Sequence, residues 1–316
     1  MPTPYDAPLD SIKDTNHPAE ERDNLRGIIW MLVSVIVASI MTIAVRLVSL
    51  ELDSTQVVLY RSVIALIFVG VGIILATPLR KKLSFTKPYQ HIIRGALVAV
   101  ATHFGFYTIA TIPLATATVL FFTAPIFATL LSVLIHSETI GMRRLLAIFA
   151  GFLGAIVVLR PGFGTLELGM LTAMGSSLTF AAALTMSRNL AQADGPLSTY
   201  LSSIIITTLL TIPIVGADLP VPQSMTVWVA IILVGLTSMI RGIADIQAYR
   251  HAEAGILAPV AYTRLVFIGI AAYFMFGEKP DWQTVLGAVI IIGSTLYIAQ
   301  REAALKKRTK AKDKNI

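Results

Sequence analysis

Long apolar runs, interrupted by short polar or proline-bearing stretches, make up most of the chain. Ten of them approach the ~20 residues that an α-helix needs to cross hydrocarbon, at about 27–48, 56–77, 91–110, 114–135, 143–160, 168–190, 197–216, 225–249, 254–276 and 282–300. The breaks carry turn chemistry: Pro78 with Arg80, Lys81 and Lys82; Arg160-Pro161-Gly162; Asp194-Gly195-Pro196; Pro220 with Pro222; and Glu278-Lys279-Pro280-Asp281. This pattern predicts an all-α integral membrane protein of ten transmembrane helices. The first run follows a polar stretch of mixed charge and has no small-residue cleavage site behind it, so it reads as a spanning helix and not as a removed leader.

The runs come in two matching sets. Gly27 to Arg46 is echoed by Gly169 to Arg188 at the same internal spacing, and Pro78 by Pro220; Gly95 pairs with Gly235 and Glu138 with Glu278. Five spans per copy is an odd number, which forces the second copy to lie upside down relative to the first. Inverted repeats around a central cavity are the architecture that secondary transporters use for alternating access. Duplication by itself is also compatible with a channel or a membrane enzyme. The expected organisation is a polar N-terminal tail (1–25), a first five-helix repeat (26–162), a second (163–300) and a basic C-terminal tail (301–316).

Composition agrees. The chain is 55% hydrophobic and 14% charged, with a mean hydropathy of +0.76, where a soluble protein carries about a quarter charged residues. The net charge of +7 does not point to nucleic acid. With the N-terminus in the cytoplasm, 19 of the 25 Lys and Arg fall on the inner side and three (Arg46, Arg160, Lys279) outside, leaving Arg61, Arg241 and Arg264 within spans. Both termini are therefore expected in the cytoplasm. The basic tail from Arg301 to Lys314 reads as a topology anchor in preference to a lipid-binding patch. There is no cysteine, hence no disulfide, thiolate metal site or Cys nucleophile.

Two segments carry a family resemblance. The run PLATATVLFFTAP (Pro113–Pro125) ending at His136-Ser137-Glu138, then RRLLAIFAGFLG (Arg143–Gly154) through Arg160-Pro161-Gly162, resembles the fourth and fifth spans of the EamA family of the drug/metabolite transporter superfamily. Pro259 to Arg264, continuing to Phe276-Gly277-Glu278 and Tyr297, resembles its second repeat. The likeness covers nearly all of 26–302. It implies ten helices with a central substrate cavity, and solute transport across the bacterial inner membrane. The Ser137-Glu138 pair departs from the family's Gly-Glu.

Charge inside a bilayer is costly and asks for a reason. Arg264, Arg241, Asp245 and His103 fall within spans, Asp245 one turn after Arg241 on the same helix face. Aligning the copies places Ala124 opposite Arg264, Ala101 opposite Arg241, Gly105 opposite Asp245 and Ile243 opposite His103. The repeat architecture does not need these charges, so they are candidates for a ligand. Arginine forks suit a carboxylate. Asp245 suits an amino group or a coupling proton, and His103 titrates near neutral pH. The expected solute is an anionic or zwitterionic carboxylate, amino-acid-like metabolite. A self-satisfied Arg241–Asp245 pair, with Arg264 bonded to backbone carbonyls, is the structural alternative.

Tyr262, Tyr107, Tyr60 and Phe122 are aromatic candidates for the cavity wall, and Pro125 and Pro259 are candidate kinks or hinges. Arg61, near a span end, reads as snorkelling to the surface, and the family resemblance implies a structural role for it in preference to ligand binding. Arg46 and Arg188, present in both copies, read as structural, and Glu138 and Glu278 as loop or cap residues. Ala147, Ala150, Gly151 and Gly154, with Gly287 and Gly293, read as helix-packing faces, a homodimer contact being the weaker option. No metal, cofactor or nucleic-acid partner is expected; the partners are a small-molecule solute, the bilayer and a coupling proton. Efflux of amphipathic or cationic compounds remains an alternative. A membrane-embedded enzyme is disfavoured, because no nucleophile elbow, zinc pair or P-loop is present.

Overall fold

The computed structural model describes residues 24–81, 83–136, 142–159, 167–216, 220–252 and 254–313. Within them the chain is helical: α1 (Asn24–Val48), α2 (Ser54–Leu75), the short α3 (Thr77–Arg80), α4 (Pro88–Thr111), α5 (Leu114–Phe121), α6 (Ala124–His136), α7 (Met142–Leu159), α8 (Leu168–Val215), α9 (Met225–His251), α10 (Ala254–Phe276) and α11 (Trp282–Asp313). Nine stretches of the described residues are long and apolar enough to cross a membrane. The fifth expected span, α7, is shorter: its apolar part is Leu145–Leu159, because Arg143 and Arg144 occupy its first turn. At the other end α11 runs past the expected limit near residue 300 as helix to Asp313. Glu138, Arg160, Pro161 and the N-terminal tail lie outside the described residues, as does the Arg188 side chain.

Two spans depart from simple rods. The fourth is split into α5 and α6 by a turn at Phe122 and Thr123. Pro125 sits at the second position of α6, where no amide hydrogen is required, and its ring would collide with the carbonyl of a continuous preceding turn. Thr123 rescues the break: its carbonyl accepts from the Ile126 and Phe127 amides, both at 3.0 Å, and its hydroxyl donates to the Leu120 carbonyl at 2.7 Å. Pro259, in the span of matching order in the second copy, lies inside α10, which continues through it without a break. The sixth and seventh spans join end to end as α8, bent at Gly195 with φ 82° and ψ 159°. That left-handed conformation is open to glycine, and Pro196 then starts the next helix with its φ already set.

Packing follows the two copies. Helix α1 lies against α9, while α4 lies against α8; α7 pairs with α11. The matching glycines do matching work. A Cβ on Gly27 would overlap Ala252 at the end of α9, and one on Gly169 would overlap Thr111 at the end of α4. Between α7 and α11, Gly154 approaches Ile290 and Gly287 approaches Val158, the close contact that small residues permit. Large apolar side chains such as Ile67, Phe149 and Phe274 face outward, as a lipid-facing surface requires.

Two polar clusters fasten helix ends. Arg46 donates to the carbonyls of Ile109 (2.9 Å) and Ala110 (2.7 Å) at the end of α4, and pairs with Glu278 at 3.1 Å. Glu278 also accepts from the Leu114 amide at 2.7 Å, capping α5. At the α8 bend, the buried Asp194 carboxylate accepts from the Ser84 hydroxyl, the Thr86 amide and hydroxyl, and His91 Nε2 at 3.0 Å. Arg94, one of the 19 basic residues counted on the inner side, is buried beside this cluster. It donates to the Ser187 hydroxyl at 2.7 Å, the Thr199 carbonyl at 3.0 Å and the Ser203 hydroxyl.

Candidate functional site

Helix α1 is the platform of the charged site. Ser34 and Thr42 lie about two turns apart on one of its faces. The Ser34 hydroxyl donates to Asp245 Oδ1 of α9, and the Thr42 hydroxyl accepts from Arg264 Nη2 of α10 at 2.9 Å. Asp245 Oδ2 lies 3.5 Å from Arg241 Nε one turn earlier. That distance is an ion pair and not the shorter charge-assisted hydrogen bond. The two side chains remain 27% and 23% exposed, so the pair is only partly covered by the fold. The Arg241 guanidinium lies 6.0 Å from the Phe180 ring of α8.

Arg264 is less satisfied. The charges of Arg241 and Asp245 both act on it, yet its Nε is buried with no hydrogen-bond partner among the described residues. Its partner is the Thr42 side chain, where the structural alternative had expected backbone carbonyls. Three of the candidate residues, Arg241, Asp245 and Arg264, thus converge with their supports Ser34 and Thr42 from α1, α9 and α10.

At the corresponding places in the other copy, small residues stand where these charges would be. Ser176 of α8 occupies the place of Ser34 and faces Gly105, the counterpart of Asp245. Its hydroxyl donates at 2.8 Å to the carbonyl of Ala101, the counterpart of Arg241. One interface is closed by small residues and a backbone bond, and the other by Arg241 and Asp245.

The remaining candidates are placed as follows. His103 Nε2 is 2.9 Å from the Thr211 hydroxyl, joining α4 to the second half of α8, and Arg61 is the charge that acts on it. Tyr107 is half-buried one turn further along α4. Tyr60 donates to the Pro220 carbonyl at 2.8 Å and meets the Trp228 ring at 5.7 Å, so its contacts tie α2 to the segment before α9. Phe122 and Tyr262 are repeat counterparts that pack edge to face, centroids 4.7 Å apart, inside a hydrophobic core cluster. Their rings meet each other where the two copies join.

Arg61 corrects the sequence reading. It does not snorkel: it is 8% exposed and stacks on Phe106 at 5.3 Å. Judging it by distance from the span end overlooked which face of α2 it occupies. The comparison between copies would have found it, since at the offset pairing Arg46 with Arg188 it falls opposite Ser203. Ser34, Thr42 and Phe180 were also missed, because single polar or aromatic residues in apolar helices carry no spacing signal.

Elsewhere, an open apolar groove of about 350 Å³ between α7 and α11 is lined by Leu146, Ala150, Ile290, Gly293, Ser294 and Tyr297. It shares no residue with the arginine cluster and offers no charged group to a polar solute. Among the described residues no three His, Asp or Glu side chains gather as a cation site would need.

The chain is similar to known membrane proteins over most of its length. It is 30% identical to the S-adenosylmethionine uptake transporter of Rickettsia prowazekii, covering 88% of this chain and 94% of that one. It is 27% identical to a riboflavin transporter of Vibrio cholerae (90% and 96% covered) and 24% to a pseudopaline exporter of Pseudomonas aeruginosa (87% and 96%). A solved crystal structure superposes with a TM-score of 0.61 at 15% identity, covering 87% of this chain and 98% of that one, a likeness of fold. The pattern of the EamA-like transporter family matches residues 25–160 and again 167–300. Two tandem matches covering the helices that build the site establish that this multi-pass membrane protein belongs to the EamA-like transporter family.

Proposed function

We propose that the chain moves a small, carboxylate-bearing organic metabolite, anionic or zwitterionic, across the inner membrane by alternating access between two inverted repeats, with both termini in the cytoplasm. The observation that carries this reading is the buried, unpartnered Arg264 Nε beside the half-open Arg241–Asp245 pair. A carboxylate supplies the acceptors that a guanidinium fork lacks. Asp245, already held by Ser34, is oriented toward an amino group. Relatives named for S-adenosylmethionine, riboflavin and pseudopaline support a small-metabolite solute. S-adenosylmethionine has an amino-acid head of the kind proposed; riboflavin has no carboxylate.

The test is thermal stabilisation of the purified protein by a metabolite panel that includes carboxylates, amino acids, S-adenosylmethionine, riboflavin and organic cations. A ligand that binds only the folded state raises the apparent melting temperature. Carboxylates or amino acids are expected as hits, with Arg264→Ala weakening them about 10- to 100-fold, the worth of a charge-assisted hydrogen bond. Hits confined to cations or carboxylate-free solutes, or unchanged affinity in Arg264→Ala, would overturn the reading.

A further inference from the structure

We infer that Arg61 of α2 is a third solute-binding guanidinium, and that the solute carries two acidic groups. This rests on the carboxylate reading above and narrows it.

Arginines that serve the fold of this protein are saturated by it. Arg46 bonds helix-end carbonyls and Glu278, and Arg94 bonds two hydroxyls and a carbonyl. Arg61 is as buried as Arg94, yet its Nε has no partner among the described residues, a condition that the Nε of Arg264 shares. Its neighbours are the Phe106 ring and, within electrostatic range, Tyr200 and Arg241. The Tyr200 ring packs on Gly242, where an added Cβ would meet it at 2.8 Å, which places that ring against α9 at the residue following Arg241.

The charges form one connected set. Arg241 acts on Arg61 from one side and on Arg264 from the other. This linked set of three guanidiniums includes one carboxylate, Asp245, which pairs with Arg241 and acts on Arg264; the other described carboxylate within a span, Asp194, is engaged by Ser84, Thr86 and His91. Cations gathered in a low-dielectric interior repel one another and lose hydration, so they are stable together only beside anions. One solute carboxylate at Arg264 leaves Arg61 uncompensated. A second acidic group on the same solute, reaching α2, satisfies it and places the solute across α1, α2, α9 and α10.

The test uses matched pairs differing by one acidic group: succinate and succinamate, glutarate and glutaramate, aspartate and asparagine, glutamate and glutamine. Each is titrated against the purified full-length protein near pH 7.5, where both carboxyls are ionised. For at least one pair the diacid is expected to bind at least about tenfold more tightly than its monoamide, since a site built to bond a group rejects the analogue lacking it. Arg61→Gln should bring that ratio close to one while monoamide affinity stays within about threefold, and Arg61→Lys should restore part of the ratio. Equal binding of diacid and monoamide throughout, or an unchanged ratio in Arg61→Gln, overturns the inference. The wild-type ratios decide the matter even where a variant fails to fold. Monoamides that bind as well as diacids and are lost in Arg264→Ala would leave the carboxylate reading standing and this one refuted; carboxylates that bind in neither form would refute both.

Discussion

A guanidinium in hydrocarbon needs bonding partners, and this chain contains arginines that the fold supplies fully and arginines that it does not. Arg46 and Arg94 find carbonyls and hydroxyls, while Arg61 and Arg264 keep a buried nitrogen without a partner. Asp245 is the counter-charge, and its role separates by substitution. Asparagine preserves an acceptor for the Ser34 hydroxyl but removes the charge. Asp245→Asn should therefore weaken an amino-acid solute roughly 10- to 100-fold. It should leave the desamino analogue unchanged or bound more tightly, as measured by titrating the two side by side. An equal loss for both would mark the Arg241–Asp245 pair as structural. In-span charges were legible because cost makes them rare, and comparing the copies singled out Arg241, Asp245 and Arg264. Arg61 was misjudged from its depth along the span. Ser34 and Thr42 were invisible because a hydroxyl in an apolar helix usually bonds its own backbone, as Ser39 does to Val35.

At the scale of elements, apolar length and proline or glycine breaks give the spans away, and their ends move by a few residues. What they cannot reveal is how a break is repaired. Pro125 and Pro259 lie in spans of matching order, yet the first sits at a divided span and the second inside a continuous helix. The Asp194 turn is visible as Asp-Gly-Pro, but its partners Ser84, Thr86 and His91 come from a distant loop and helix start, with no periodicity to betray them. The α7–α11 contact shows how locally glycine matters. A Cβ at Gly287 would meet the Gly154 carbonyl oxygen at 2.8 Å, against backbone that cannot turn aside, whereas at Gly293 nothing lies within 4 Å. Gly287→Ala should lower stability by about 1–3 kcal/mol, and Gly293→Ala should stay within about 0.5 kcal/mol of wild type. Thermal unfolding of both in one detergent checks this; equal effects would contradict the close packing.

For the whole molecule, near-symmetry supplies the scaffold and its local failure supplies the chemistry. Gly27 and Gly169 seat α1 and α8 against the ends of α9 and α4 in the same way. Ser34 and Ser176 then stand at matching places, one bonding Asp245 and the other the Ala101 carbonyl. On the reading proposed above, a solute at the charged interface would touch helices from both copies, since Thr42 of α1 holds Arg264 of α10, and would be exposed alternately as the copies rock. The Arg46–Glu278 pair, which also joins the copies, fastens one end of that arrangement. The most direct measurement is uptake into proteoliposomes of the carboxylate solute that stabilises the purified protein most, with wild type and Arg264→Gln reconstituted in equal amounts. The account predicts saturable uptake by wild type and a fall of roughly tenfold or more for the variant at low solute concentration. Equal uptake by the two proteins would contradict it.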